Sequence, residues 1–273
     1  YRDRRQRQMC IRDSYKNQFM TNSQTPAGDY NYPKKLDQKQ KGIKLSVIIP
    51  TLNAGSTLNQ TIESLSSAKQ RGVEIEIIVV DAGSTDDTEQ LALEADAKFV
   101  TSDRGRGTQL HRGAQLASGD WFLFLHADTV LTSGWDASFV VFTSHPSNAE
   151  RGGVFTFALD TNDIKARLIE KAVRFRNNWL GLPYGDQGLI INKHFYNCLG
   201  GYRKWPIMED VDLVRRIGMS RMVLFDVKAR TSAKRYTEEG YIRRIARNFI
   251  CLSLYFLKLP PDKIYKIYEK PAP

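Results

Sequence analysis

Between Leu45 and His126 the chain alternates short apolar runs with amphipathic stretches. Leu45-Ser46-Val47-Ile48-Ile49 is β-branched and closed by Pro50, the pattern of a strand buried on both faces. Residues 56–69 carry Leu58, Ile62 and Leu65 at helical spacing, with Ser56 in the N-cap position. Residues 74–80 predict a second strand, stopped by Asp81-Ala82-Gly83-Ser84. Thr85 or Asp86 then caps a helix running to Glu94. Residues 97–101 predict a third strand, 108–117 a third helix and 121–126 a fourth strand. Strands alternating with helices imply a doubly wound, mainly parallel α/β sheet. Right-handed crossovers would line up the C-terminal ends of those strands along one edge, where ligands bind.

The second half is less regular. A strand is predicted over 153–159 and a helix over 163–179, with Ile164, Leu168, Val173 and Phe175 among its apolar positions. The loop 181–187 leads into the apolar run Leu189-Ile190-Ile191. A short helix is expected over 209–218 and a short strand over 222–225. Residues 240–259 form a long, basic, amphipathic helix. No internal repeat is evident. Residues 1–42 show no apolar period and read as a disordered tail. Within it, residues 1–14 resemble translated sequencing-adapter sequence. They are either that artefact or a natural basic tail, and the functional argument leaves them aside. The expected organisation is a tail over 1–42, a catalytic domain over 43–236, and a basic amphipathic helical extension over 237–273.

The chain has 273 residues, 41% of them hydrophobic, enough for one sizeable core with a small appendage. No apolar run approaches the roughly 20 residues needed to span a bilayer. The N-terminus lacks the apolar segment of a secretory signal. Cys10, Cys198 and Cys251 are far apart, odd in number and without CxxC spacing. A disulfide framework and a zinc site are therefore not expected, and a reducing, cytoplasmic compartment is. The net charge of +10 divides into +6 over residues 1–41, +7 over 228–273 and −3 between them. A slightly acidic body argues against a nucleic-acid-binding core. The basic ends suit contact with an anionic surface.

Polar residues end three of the predicted strands: Thr51 and Asn53, then Asp81, then His126-Ala127-Asp128. Each also has a plain structural reading as a turn or cap residue. Their shared edge points to one ligand crevice. No G-x-G-x-x-G follows the first strand and no Walker A motif is present, which disfavours hydride transfer and P-loop chemistry.

The segments LSVIIPTLNAGSTL, EIEIIVVDAGSTDDT, GDWFLFLHADT and MEDVDLVRR resemble, in order and spacing, glycosyltransferase family 2 with its GT-A fold, a three-layer sandwich. The chain is most similar to a bacterial subgroup that carries His126-Ala127-Asp128-Thr129 in place of the usual DXD. That subgroup also has Gly185-Asp186-Gln187 before the Gly200-Gly201 turn. The resemblance covers about residues 44–259. It implies transfer of a sugar from a nucleotide-sugar donor to a hydroxyl acceptor, with a divalent metal, Mn²⁺ or Mg²⁺, and inversion by single displacement.

By that resemblance Asp128 and His126 are the metal motif. Residues i and i+2 at a strand end project to one side, which agrees. His126 either ligates the ion or hydrogen-bonds around it; as a ligand it favours Mn²⁺. Asp81 would contact the base or ribose, with Thr51 and Asn53 lining the same pocket. Ala82 stands where relatives often have a second acid, and Leu52 where an aromatic is common. Arg106 would approach the diphosphate or is a solvated loop arginine. Asp210 of the pair Glu209-Asp210 is the expected base, although acids also suit a helix's first turn. Asp186 and Gln187 would face the donor sugar or the acceptor. Lys234 and Arg235 resemble a phosphate clamp. His111, His145 and His194 read as structural.

Two other functions stay open: a sugar-phosphate nucleotidyltransferase, and an inactive nucleotide-sugar-binding module. The 240–259 helix either packs on the body or lies against the inner face of the cell membrane, which would suit a lipid-linked acceptor.

Overall fold

The computed structural model describes residues 42–180 and 183–269. The expected tail apart from Gly42, and residues 270–273 of the extension, lie outside the described residues.

The first half follows the predicted alternation. Strand β1 (Lys44–Thr51) leads to helices α1 (Leu58–Glu63) and α2 (Ser66–Gln70). The single helix expected over 56–69 is thus two pieces, and Ser56 caps neither. β2 (Glu74–Asp81), α3 (Thr88–Glu94), β3 (Lys98–Thr101), α4 (Arg106–Leu116) and β4 (Trp121–Phe124) follow. α3 starts later than expected, although Asp86 Oδ1 does accept the Thr88 N–H, at 3.2 Å.

The second half holds elements the sequence pattern did not announce. They are β5 (Thr129–Leu131) and α5 (Trp135–Ser144) before the expected β6 (Gly152–Leu159) and α6 (Ile164–Leu180). β7 (Leu189–Asn192), α7 (Lys193–Cys198), α8 (Glu209–Ile217) and β8 (Met222–Thr231) come next. β8 runs six residues past the expected end at Phe225. α9 (Lys234–Glu239), α10 (Tyr241–Phe256) and α11 (Pro261–Glu269) close the described chain.

Among the described residues one eight-stranded sheet has the order β3-β2-β1-β4-β7-β6-β8-β5. β1–β2, β1–β4, β2–β3 and β6–β8 are parallel. β4–β7, β6–β7 and β5–β8 are antiparallel, so the sheet is doubly wound at one end and mixed at the other.

Alternation along the strands splits the core into two layers. Val47, Ile49, Leu123 and Leu125 point to one face, with Leu58 from α1, Leu65 just before α2, and Trp135 and Phe139 from α5. Ile48, Phe122 and Phe124 point to the other, with Leu110, Phe195, Leu213 and Ile217 from α4, α7 and α8. Helices thus cover both faces, giving three layers. Cys251 is a free, buried thiol.

Candidate active site

β4 stops at Phe124, two residues earlier than expected, so His126 and Asp128 lie in a turn and not at a strand end. The turn is closed by Thr129 N–H donating to His126 O at 3.2 Å. Buried Thr61 of α1 braces it by donating to Ala127 O at 2.9 Å. Strand alternation therefore does not pair the two side chains. The neighbouring pairing of β5 with β8 places Asp128 instead. Asp128 O accepts Ser232 N–H at 3.1 Å, and its Oδ1 faces Thr231 Oγ1 at 3.4 Å. Burial, then the charges of Arg106 and Arg235, push the His126 imidazole well below its ordinary value. At neutral pH the ring is uncharged and its lone pair is available.

Glu209 and Asp210 open α8, after Met208 in a left-handed conformation at φ 64°. α4 comes very close to the preceding loop: Gly107 N–H donates to Trp205 O at 3.0 Å. A Cβ on Gly107 would stand 2.1 Å from Arg203 O, so only glycine allows this approach. The contact sets Arg106 against Glu209, with Nε to Oε1 at 3.6 Å. Glu209 is fully buried and neither carboxyl oxygen has a hydrogen-bond partner among the described residues. Burial raises its pKa to about 8, against Arg106 and reinforced by Asp210. At neutral pH it is mostly protonated.

Asp210 is half-buried, and its Oδ2 accepts Gly185 N–H at 2.8 Å. A Cβ at Gly185 would lie 2.9 Å from His126 Nε2 and 3.4 Å from Asp210 Oδ2. Gly185 is therefore where the His126–Asp128 turn and the expected base meet. Burial raises Asp186 to about 6, against Arg176 and reinforced by Asp210 and Asp128. Its Oδ1 has no partner. Arg176 stacks on Tyr184, 3.6 Å from the ring centroid.

Other expected residues have mainly architectural work. Asp81 accepts four hydrogen bonds, from Thr51 Oγ1, Gly83 N–H, Ser84 N–H and Ser84 Oγ. Burial raises its pKa, but these bonds win and hold it low. Asn53, in a left-handed conformation at φ 52°, accepts Thr85 N–H at 2.9 Å and donates its own N–H to Ser84 Oγ at 2.7 Å. Together they stitch the loop after β1 to the loop after β2. Gln187 is fully buried, donating to Phe155 O at 2.8 Å and accepting from Asn177 at 3.0 Å. It faces the interior and not a sugar, because its amide completes backbone that the bulge in β6 leaves open. Lys234 is exposed and opposite Glu238 at 4.0 Å, apart from the cluster. Arg235 joins it, influencing His126. His111, His145 and His194 are not among its members; His111 Nδ1, for example, lies 3.2 Å from Tyr202 O.

Two residues of the cluster have no signature in the sequence. Arg244 and Tyr268, from α10 and α11, lie with Arg235 and Arg106. Periodicity had assigned Arg244 to the basic face of an amphipathic helix. It is buried and paired with Glu239 at 3.2 Å.

The doubly wound sheet, covered by helices on both faces, is a fold of the GT-A type. The model of the family described as glycosyl transferase family 2 matches residues 46–198, and the chain belongs to that family. It is 33% identical over 105 residues to the glucosyl-3-phosphoglycerate synthase of Mycobacterium tuberculosis, covering 35% of this chain and 32% of that protein. It is 31% identical over 167 residues to a PGL/p-HBAD biosynthesis glycosyltransferase of Mycobacterium bovis, covering 51% of this chain and 62% of the relative. The chain thus spans about a third of the first relative's length and under two thirds of the second's. The M. tuberculosis synthase, solved with Mn²⁺, UDP-glucose and phosphoglyceric acid, matches at TM-score 0.54 and 21% identity over 80% of this chain and 81% of that one. Its complex with Mg²⁺ and UDP matches at TM-score 0.53 and 22% identity, with the same coverage. At such identity the likeness establishes the fold.

Proposed function

We propose that this chain transfers a glycosyl group from a nucleoside-diphosphate sugar to a hydroxyl acceptor, by single displacement with inversion. The observation that carries the reading is the meeting at Gly185 of the His126–Asp128 turn with Asp210, beside Arg106 and Arg235. Of the three acids opening α8, Asp210 suits the base. Glu209 holds its own proton, and Asp212 is taken up by Arg216 at 2.8 Å and Arg203 at 3.3 Å. The acceptor oxygen attacks the anomeric carbon as the bond from that carbon to the diphosphate breaks. The acceptor proton passes to Asp210. Negative charge grows on the departing diphosphate, and Arg106 and Arg235 are placed to stabilise it.

Asp128 and His126 fit a divalent cation that arrives with the donor. The imidazole is neutral, and the Asp128 carboxylate is held by one long contact at 3.4 Å. Among the described residues no group of three or more His, Cys, Asp or Glu side chains could hold an ion by themselves. A divalent cation supplies Lewis-acid stabilisation of the leaving group. The nitrogen ligand favours Mn²⁺ over Mg²⁺. UDP, UDP-glucose and both metals in the M. tuberculosis synthase structures support a UDP-sugar donor here.

A second part of the reading concerns location. No described helix is long and apolar enough to cross a membrane. α10 nevertheless exposes Ile242 and Phe249 at 83% and 68%, with Leu257 just past its end at 77%, and Arg243 is exposed on the same helix. That face supports peripheral contact with the anionic inner face of the cell membrane, and with it a lipid-linked acceptor. Sedimentation with anionic vesicles at low salt, reversed at high salt, is the expected result. A protein that stays in the supernatant overturns this part.

The reaction is tested by incubation with nucleotide sugars and Mn²⁺. Nucleoside diphosphate release that rises with added acceptor is expected. Pyrophosphate released from a nucleoside triphosphate and a sugar phosphate would make the chain a nucleotidyltransferase. Donor binding with no turnover for any nucleotide sugar, metal or acceptor would make it a binding module.

A further inference from the structure

α10 and α11 fold back over the candidate site. Cys251 and Ile264, one from each helix, are fully buried against Ile207, Met208 and Val211, the residues flanking Glu209 and Asp210. That anchor fixes the direction of Tyr268. Its phenol oxygen accepts a hydrogen bond from Arg244 Nη2 and another from Arg235 Nη1 at 3.5 Å. The Arg244 guanidinium also lies over the ring, 4.9 Å from its centroid. Burial raises the phenol's pKa, but Arg106, Arg244 and Arg235, in that order, outweigh it and hold it low.

Four groups therefore converge from α4, α9, α10 and α11, and every one can donate a hydrogen bond. Three are cations. The facing acids are Glu209 beside Arg106, which carries its proton at neutral pH, Asp210 and Asp128, whose charges also reach Arg106, and Glu239 between Arg244 and Arg247. The phenol's own proton has no acceptor among the described residues. Gathering like charges in a half-buried place is unfavourable unless an anion joins them. Guanidinium groups in a fork suit the paired oxygens of a phosphate or a carboxylate. Membrane contact does not account for Arg244, whose side chain is only 9% exposed.

We propose that Arg244 and Tyr268 complete, with Arg106 and Arg235, a binding site for the diphosphate of the donor, so that the C-terminal helix pair forms one wall of the donor site. The proposal rests on the donor-site reading above. When the diphosphate enters, Arg235 and Arg244 turn from the phenol oxygen to phosphate oxygens, and the phenol O–H donates to the same group. No bond to carbon or phosphorus changes in this step. Tyr268 is a binding residue and takes no part in proton transfer to or from the acceptor.

The test is isothermal titration of the full chain with inorganic pyrophosphate and Mn²⁺, a probe that carries the diphosphate without base or sugar. Tyr268→Phe keeps the ring and its packing and removes only the hydroxyl. It should weaken binding roughly 10-fold, the scale of one lost hydrogen bond to a charged group. Arg244→Gln should weaken it at least as much. Arg243→Gln, exposed on the same helix, should bind as the wild type does. Unfolding temperatures confirm that each variant is folded. If Tyr268→Phe binds normally while Arg106→Gln does not, this proposal falls and the donor-site reading stands. If the wild type binds no pyrophosphate with Mn²⁺, the donor-site reading falls and takes the proposal with it.

Discussion

The loops after β1 and β2 and the crevice at the head of α8 treat polar groups in opposite ways. In the first region every key side chain is spent on its neighbours. Asp81 accepts four hydrogen bonds, and Asn53 clasps the Ser84-Thr85 backbone from across the gap. In the second, Glu209 is fully buried with neither oxygen hydrogen-bonded, and a buried Asp186 oxygen likewise has no hydrogen bond. Arginines gather there too, Arg106 near Glu209, Asp210 and Asp128 and Arg176 near Asp186. A saturated polar network rigidifies a loop, whereas an unsatisfied one stores free energy that a ligand can release.

The largest test of that contrast is Asp210→Asn. It should lower turnover at least about 100-fold, the usual scale of a lost general base, while donor affinity stays within a few-fold. Steady-state kinetics alongside donor titration separates the two. Near-normal turnover would remove Asp210 from the chemistry and blur the difference between the regions.

In the first region, Asp81→Asn should act on stability, lowering it by about 1–3 kcal/mol as bonds to a buried carboxylate are lost. Asp81 titrates below its ordinary 3.8 in the folded chain. Its contribution is therefore present above pH 3.8 and lost as pH falls through the lower folded value. Denaturant unfolding at neutral pH and at pH 3 measures both effects. A variant of unchanged stability with weak nucleotide binding would return Asp81 to the ligand-binding set.

Glu209→Gln should do the reverse. The unfolded chain loses this proton near 4.5 and the folded chain near 8, so the native state binds more protons in between. Wild-type stability therefore falls as pH rises across that window. The glutamine variant escapes this, and its advantage should grow to about 1 kcal/mol or more by pH 8. Thermal unfolding at pH 5 and pH 8 provides the comparison. A glutamine variant that is less stable at pH 8 would show that Glu209 is charged and firmly paired with Arg106.

The smallest effect is expected at Lys234, exposed beside Glu238. Lys234→Ala should change stability by less than about 0.5 kcal/mol, as exposed ion pairs do. A donor titration in which Arg235→Ala weakens binding and Lys234→Ala does not would show that only one of the adjacent cations belongs to the second region.

Much of this protein follows from short-range pattern. The β-branched runs from Leu45 to Phe124 can only be buried strands, and the helical spacing between them dictates a layered α/β fold. His126-Ala127-Asp128 and Glu209-Asp210, read from the sequence as site residues, meet around Gly185. Interactions between distant segments decided the rest. β5 is three residues long and gains its stability from β8, far along the chain, so no local signal announces it. Gln187 reads as a ligand-facing amide until the bulge in β6 offers Phe155 O inside the core. Arg244 reads as a solvated charge until α11 folds back and sets Tyr268 against it. Periodicity reports which face of an element is apolar, but not which partner that face will meet. That pairing, and with it the desolvation that shifts Glu209 and His126, exists only once the tertiary fold has formed.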